Sequence, residues 1–440
     1  MFKYIAVLIV GILTSFYFFP FVSSLLPMAN TKMVMALFGL IVLGLKLTRD
    51  KRAEIEKDIL VLSLYAIGVS FMGLTSVILN DSKDYTYASY IMSMWVWLGG
   101  AYFVINCIKW VHGRVSVKLV SHYLIGVCVA QCLLAYTMEQ YAPLKNIVDS
   151  LVISEGFMGK VEGRMYGLGA ALDVAGMRFA AILVIIGYLC VGFKEKVAPR
   201  LQWIYIIAFC LITLIGNMIG RTTTVGAAMA LLFIFCVSIF NKNDNVKSFW
   251  GKLGITLLMF IPIVIYLYKT NHIVQENFRF AFEGFYNLFE KGEWQTTSND
   301  RLMNMYVWPD NLKTWMIGDG YFKSPLFTNP YYIGPGVGSA FYMHTDVGYC
   351  RFLFYFGSLG LILFMLYFGK VAAICVARFS KYKQLFLLLL LFNFIVWLKV
   401  SSDLFVLFAL FLCVSKDENE EYERNENERN ILLSVNRTDF

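Results

Sequence analysis

Arg221 stands in a turn of almost no length, Gly220-Arg-Thr222, between two apolar runs, and Thr222-Thr-Thr224 follows it. A guanidinium beside hydroxyls and the free N–H groups of a helix start suits a phosphate or diphosphate. Each charge-assisted hydrogen bond contributes about 1.5–3 kcal/mol, so two or three outweigh the ~2.5–3.5 kcal/mol cost of a charge at membrane depth. Further arginines accompany it: Arg164 in Glu162-Gly-Arg-Met-Tyr-Gly-Leu-Gly169, Arg178 at the start of an apolar run, Arg301 in Ser298-Asn-Asp-Arg301, and Arg351. Taken singly, each also reads as an anchor whose charged head snorkels to the membrane surface.

Acid–base candidates lie in His344-Thr-Asp346-Val-Gly-Tyr-Cys-Arg351. A histidine titrates near neutral pH unaided, whereas an aspartate needs burial or another carboxylate to become an effective base. If a helix begins near His344, Arg351 lies on the same face about two turns deeper, and Asp346 projects elsewhere and caps the first turn. His344 is therefore expected nearer the chemistry, with Asp346 orienting it or capping the helix, and with Glu162 and Asp300 in reserve. Asp173, ahead of Arg178, reads as a cap. Gly357 and Gly360 leave a flat strip for close helix contact. Gly318-Asp-Gly320 suits a tight turn and is too short for a nucleotide fingerprint.

The elements that must position these residues are membrane helices. The 440 residues are 58% hydrophobic and 15% charged, where a soluble domain carries about a quarter charged residues. About twelve spans follow from apolar runs of ~17–25 residues: 4–26, 30–47, 59–79, 88–109, 119–136, 177–193, 202–219, 222–240, 252–269, 347–369, 384–398 and 401–415. The last pair is short enough to be tilted or partly re-entrant. Helices 1–9 thus occupy 1–269, a large loop 270–346, and helices 10–12 residues 347–415. The expected fold class is an all-α polytopic membrane protein.

Lys and Arg gather in alternate short connections: Lys46 to Lys57, Lys109 to Lys118, Lys194 to Arg200, Lys242 to Lys252 and Lys370 to Lys383. By the positive-inside rule both termini are cytoplasmic. The 137–176 connection, the Arg221 turn and the 270–346 loop then lie outside, and so do the arginines above. The segment 416–440, with Asp417-Glu-Asn-Glu-Glu421, lacks apolar periodicity and reads as a disordered acidic cytoplasmic tail. The 9 cysteines form no CxxC pair and the 4 histidines lack ligand spacing, so neither a zinc site nor a disulfide framework is implied. The net charge of +8 sets orientation and is no nucleic-acid signal.

From Gly163 to about Leu366 the chain resembles bacterial O-antigen and capsular polysaccharide polymerases of the Wzy type, and more distantly the O-antigen ligases. The likeness lies in Gly163-Arg-Met-Tyr-Gly-Leu-Gly169, Gly220-Arg-Thr-Thr-Thr224, Asn299-Asp-Arg301, Gly318-Asp-Gly320, and His344-Thr-Asp346 followed by Gly357 and Gly360. The resemblance implies a GT-C-like membrane glycosyltransferase in the bacterial inner membrane, with a large periplasmic loop. It implies an undecaprenyl-diphosphate-linked oligosaccharide as donor and an inverting transfer that calls for no cofactor or metal. His344, Asp346 and Arg221 would then be catalytic, with Arg164, Arg178, Arg301 and Arg351 holding diphosphate or glycan. In the ligases a histidine precedes the Gly-x-x-Gly helix at a set distance. Here Asp346 holds that place and His344 lies two residues further out, which favours a polymerase. A flippase and a chain-length-regulating membrane protein are the implied partners. Two readings stand beside this one: a ligase acting on lipid A–core, and a transporter or flippase of lipid-linked oligosaccharide.

Overall fold

The computed structural model describes residues 2–49, 56–153, 164–193, 197–240, 244–327, 329, 331–422 and 424. The protein is an all-α polytopic membrane protein. Nine helices among the described residues are long and apolar enough to cross a membrane. They are α2 (Thr31–Arg49), α3 (Lys57–Leu79), α4 (Tyr90–His112), α5 (Val117–Gln140), α7 (Leu172–Val191), α8 (Pro199–Ile219), α9 (Thr223–Phe240), α10 (Asp244–Thr270) and α15 (Gly348–Arg378), with the short α6 (Ala142–Leu151) between α5 and α7. α1 (Phe2–Phe18) is shorter than the 4–26 span expected, because Pro20 turns the chain out of the helix. Lys51, Arg52, Glu162, Lys194, Lys196 and Lys242 lie outside the described residues.

Contacts sort the connections between two ends of the bundle, the same partition that the basic loops suggest. At one end Arg378 binds Asp58 and the Leu412 carbonyl, and Tyr188 donates to the Lys381 carbonyl. At the other, Asn80 donates to the Gly318 carbonyl, Tyr306 to that of Leu398, and Asn271 to the Gln140 side chain. The tail expectation needs correction over 416–422. These residues are helical, with Glu418 and Glu421 bound to Lys109 and Arg114, and Asn419 accepting from the Val117 N–H. Like charges within the run are neutralised by the basic connection it lies against.

α7 is the central helix, its hydrophobic stretch 94% buried within the protein. Lipid is as apolar as a leucine core, so helices here associate by close packing. At Gly226 a Cβ would stand 2.3 Å from the Ala180 Cα, so α9 lies almost backbone to backbone on α7. This crossing fixes Thr222 and Arg221, just before α9, against the start of α7.

The 270–346 loop carries four short helices: α11 (His272–Ala281), α12 (Glu283–Lys291), α13 (Thr297–Met303) and α14 (Leu312–Ile317). It docks on α15 through a break in that helix. Phe356 and Gly357 leave helical geometry, Gly357 at φ 69°, which frees carbonyls of the preceding turn. The Asp319 N–H donates to the Phe354 carbonyl at 2.6 Å and the Gly320 N–H to that of Tyr355 at 3.1 Å. Asp84 Oδ2, from the α3–α4 connection, accepts from the Phe322 and Lys323 N–H groups at 2.8 Å each. Gly357 thus gives the close helix contact expected of it, against the end of α14, and in addition breaks α15 to receive Gly318-Asp-Gly320. A Cβ at Gly357 would meet the Met316 carbonyl at 2.2 Å, on a backbone that already disfavours one. Gly357→Ala is expected to lower thermal stability in detergent by roughly 1–3 kcal/mol, whereas Gly369→Ala, which faces open space, leaves the midpoint unchanged.

The last expected spans are shorter than drawn. α16 (Lys383–Val396) and α17 (Phe405–Leu412) have 14 and 8 residues. The irregular 397–404 turn between them sits inside the protein, where its backbone must be satisfied locally. Asn393 accepts from the Leu404 N–H, Asp403 from that of Phe405, and the Trp397 ring N–H donates to the Ser402 carbonyl.

Candidate functional site

The packing of α7, α9, α11, α15 and the 397–404 turn brings most of the expected residues to one end of the bundle. Arg221 Nη1 lies 2.7 Å from Glu283 Oε2 and donates to Ser298 Oγ at 3.0 Å. Its guanidinium lies over the Phe280 ring at 4.1 Å, and that of Arg164 lies 4.6 Å from the same ring. Burial lowers the Arg164 pKa, Asp173 opposes the shift, and the nearby Arg221 and Arg301 charges add to it. Arg164 and Arg221 therefore form one cationic pair on Phe280, with the exposed Arg301 within electrostatic reach of Arg164.

Arg351 forms a second, buried station. Its guanidinium lies 3.3 Å from Asp346 Oδ1, donates to Ser401 Oγ and to the Phe322 carbonyl at 2.7 Å, and stacks on Phe322 and Phe341. The Asp84 contacts fix Phe322, so the loop–helix junction of the preceding section sets the pose of Arg351. Two expectations are corrected here. α15 begins at Gly348, with Val347 in the cap position and no side-chain cap, so Asp346 is no N-cap and faces Arg351 instead of projecting away. His344 ends a single 3-10 turn outside that helix, exposed, with φ 56° after Met343 at φ 54°. It therefore does not share a helical face with Arg351. The cause is the Thr345 hydroxyl, which donates to the Met305 carbonyl and accepts from the Val347 N–H, pinning the chain in extended form before the helix.

Burial raises the Asp346 pKa to about 6, against the pull of the Arg351 charge and with a push from Asp173. Asp173 does not cap α7 with its side chain. Instead it accepts from the Thr222 hydroxyl at 2.9 Å and lies 3.5 Å from Lys399 Nζ, which also donates to Thr222. Asp173, Thr222 and Lys399 thereby connect the Arg221 group to the Asp346–Arg351 pair. The chemistry available is a cationic cradle for an anion beside a carboxyl that titrates close to neutrality.

Arg178 is not part of this array. It lies in the core 7% exposed, its guanidinium 5.8 and 5.7 Å from the Phe18 and Phe19 rings. Asp300 is exposed and accepts from Gln295. The loop aromatics mostly pack on one another: Trp308 on Trp315 at 6.0 Å, and Trp294 on Phe285 at 4.9 Å.

Lys399, Ser401, Glu283 and Phe280 are site neighbours that the motif reading missed. Lys399-Val-Ser-Ser-Asp403 did carry a signal, as the one charged interruption between Leu385 and Val414. Glu283 and Phe280 carried none, because an ion pair across 62 positions has no local pattern.

Beside the cationic group lies an apolar groove of about 520 Å³ between α8, α9 and α10, roofed by α11 and α12. Phe278 and Phe282 face it, with Leu214, Leu257 and Ile261 among its walls. Phe280 lies on the opposite face of α11 and carries the two guanidinium groups. Among the described residues no cluster of His, Cys, Asp or Glu has the geometry to hold a metal ion. No protein family, curated protein or solved structure matches the chain.

Proposed function

We propose that the protein is a polymerase that joins undecaprenyl-diphosphate-linked oligosaccharide repeat units into a surface polysaccharide, on the periplasmic face of a bacterial inner membrane. The observation that carries this reading is the two-sided α11–α12 corner: Phe278 and Phe282 line an apolar groove, while Phe280 and Glu283 engage Arg221. A groove of hydrocarbon character beside an arginine cradle suits an amphiphile with a long apolar tail and a phosphate head. The resemblance of the Arg164, Arg221, Arg301 and His344–Asp346 motifs to Wzy-type polymerases supports the same substrate.

In this reading the diphosphate displaces Glu283 from Arg221 and lies against Arg164 and Arg301. Asp346, held by Arg351 and Ser401, removes the proton from the acceptor sugar hydroxyl as its oxygen attacks C1 of the donor. The new C–O bond forms on the face opposite the departing oxygen, so configuration inverts. The C1–O bond breaks with its electron pair going to the diphosphate, which the arginines stabilise as charge develops. Asp346 carries the proton until it is lost to solvent.

Lipid-linked glycans from cells with and without the gene test this reading. Loss of long chains with single repeat units retained supports a polymerase; long lipid-linked chains that accumulate without transfer to lipid A–core point to a ligase. Cysteine labelling should place Lys291 on the periplasmic side and Glu421 in the cytoplasm. Labelling of the 270–346 loop from the cytoplasm would remove the periplasmic site.

A further inference from the structure

A second apolar groove, of about 550 Å³, lies between α1 and α5 and shares no lining residue with the 520 Å³ groove beside Arg221. On α5 it runs from Leu119 to Leu134, roughly 22 Å at 1.5 Å per residue, which is most of the ~30 Å hydrocarbon core of a bilayer. The polar groups of its walls turn to one another. His112 Nε2 lies 2.8 Å from the Tyr123 hydroxyl, His122 Nε2 lies 2.6 Å from that of Tyr205, and Gln131 Nε2 donates to Ser15 Oγ at 2.8 Å. The surface left to an occupant is hydrocarbon. Each wall also carries a glycine, Gly11 on α1 and Gly126 on α5, where a Cβ would meet nothing within 4 Å. The outer end of the groove is tied to the arginine cradle. Gln131 Nε2 donates to the Leu168 carbonyl at 3.0 Å, Leu168 lines the groove, and Arg164 in the same 164–169 segment lies on Phe280 beside Arg221.

We infer that the α1–α5 groove holds the polyprenyl tail of the acceptor, and that the groove beside Arg221 is left to the tail of the donor. The inference rests on the polymerase reading, which places two lipid-linked units on the protein at once. The acceptor keeps its own diphosphate and tail while another of its hydroxyls attacks, and an inverting attack comes from the side opposite the departing diphosphate. The two tails must therefore reach the site by different routes, and grooves with no wall in common supply them. A chain in the α1–α5 groove has its head group at the 164–169 segment, so the glycan it carries rises beside the cradle instead of competing for the first groove.

The test uses the full chain in liposomes and a photoreactive undecaprenyl diphosphate. Label is expected in α1 and α5 as well as in α8 and α10. Excess lipid-linked repeat unit should compete it away, and phosphatidylethanolamine should not. Gly126→Leu and Gly11→Leu fill the groove without displacing a neighbour, and leucine suits a helix better than glycine. Each should remove the label from α1 and α5 and keep that in α8 and α10. Kinetics use a repeat unit joined to undecaprenyl diphosphate through a C1 methylene, which can accept but cannot donate. Each variant should raise the KM for this acceptor at least tenfold with kcat kept, and leave turnover of the same unit on a two-isoprene tail unchanged. If one variant fails to fold, the other decides, and the competition experiment decides if both do. Label absent from α1 and α5, or displaced equally by phosphatidylethanolamine, makes the groove ordinary lipid-facing surface and overturns the inference. Label that behaves as expected in a chain that forms no polymer keeps a polyprenyl site here and refutes the polymerase reading instead.

Discussion

Arg221→Ala is expected to abolish polymer formation, a fall of at least about 10²-fold, while the protein still inserts. Two charge-assisted contacts to a departing diphosphate at about 1.5–3 kcal/mol each account for that loss. Arg221→Lys should not restore activity, because a lysine is a point charge that cannot make the bidentate phosphate contact or lie flat on Phe280. Glu283 supplies the control. Glu283 Oε2 lies 2.7 Å from Arg221 Nη1, so Glu283→Gln removes a competitor for the guanidinium. That variant should bind pyrophosphate more tightly than the wild type and remain active. Near-normal polymer in both Arg221 variants would reduce the arginine to a membrane-surface anchor.

Asp346→Asn is expected to cut turnover by about 10²–10⁴-fold, with donor binding retained, and His344→Ala to cost less than about tenfold. The carboxyl is half-buried and its pKa is raised to about 6, and the base must be deprotonated to accept a proton. The rate should therefore rise with pH through about 6 and level off above it. Arg351 pulls the Asp346 pKa down, so Arg351→Gln should move that limb to higher pH. Loss of the limb in Asp346→Asn would link it to this carboxyl. The reverse order of the two variants would return the base to His344, despite its exposure and lack of a helical position beside Arg351.

The membrane helices and the division of connections were legible because length, apolarity and basic loops are local properties. The Arg221 cradle was legible in part: the arginine in its short turn was evident, but Glu283 and Phe280 reach it only through the fold of the 270–346 loop. Gly357 was visible as a glycine, whereas its use as a break could not be told from a packing strip. Both need a missing Cβ, and Gly357 serves both: α14 packs on it at Met316, while its φ of 69° breaks α15. The helical start of the tail escaped for a related reason, since charges at Glu418 and Glu421 look solvated until Lys109 and Arg114 are placed beside them. Arg178 grouped by sequence with the other arginines, yet its place in the core beside Phe18 and Phe19 separates it from them.

The most direct test of the central claim is polymerisation by the purified protein in liposomes, given only undecaprenyl-diphosphate-linked repeat units. The account predicts a ladder of longer lipid-linked glycans and one undecaprenyl diphosphate released per linkage formed, both lost in Arg221→Ala and Asp346→Asn. Repeat units that stay single, or that cross the bilayer with no new glycosidic bond, would contradict it.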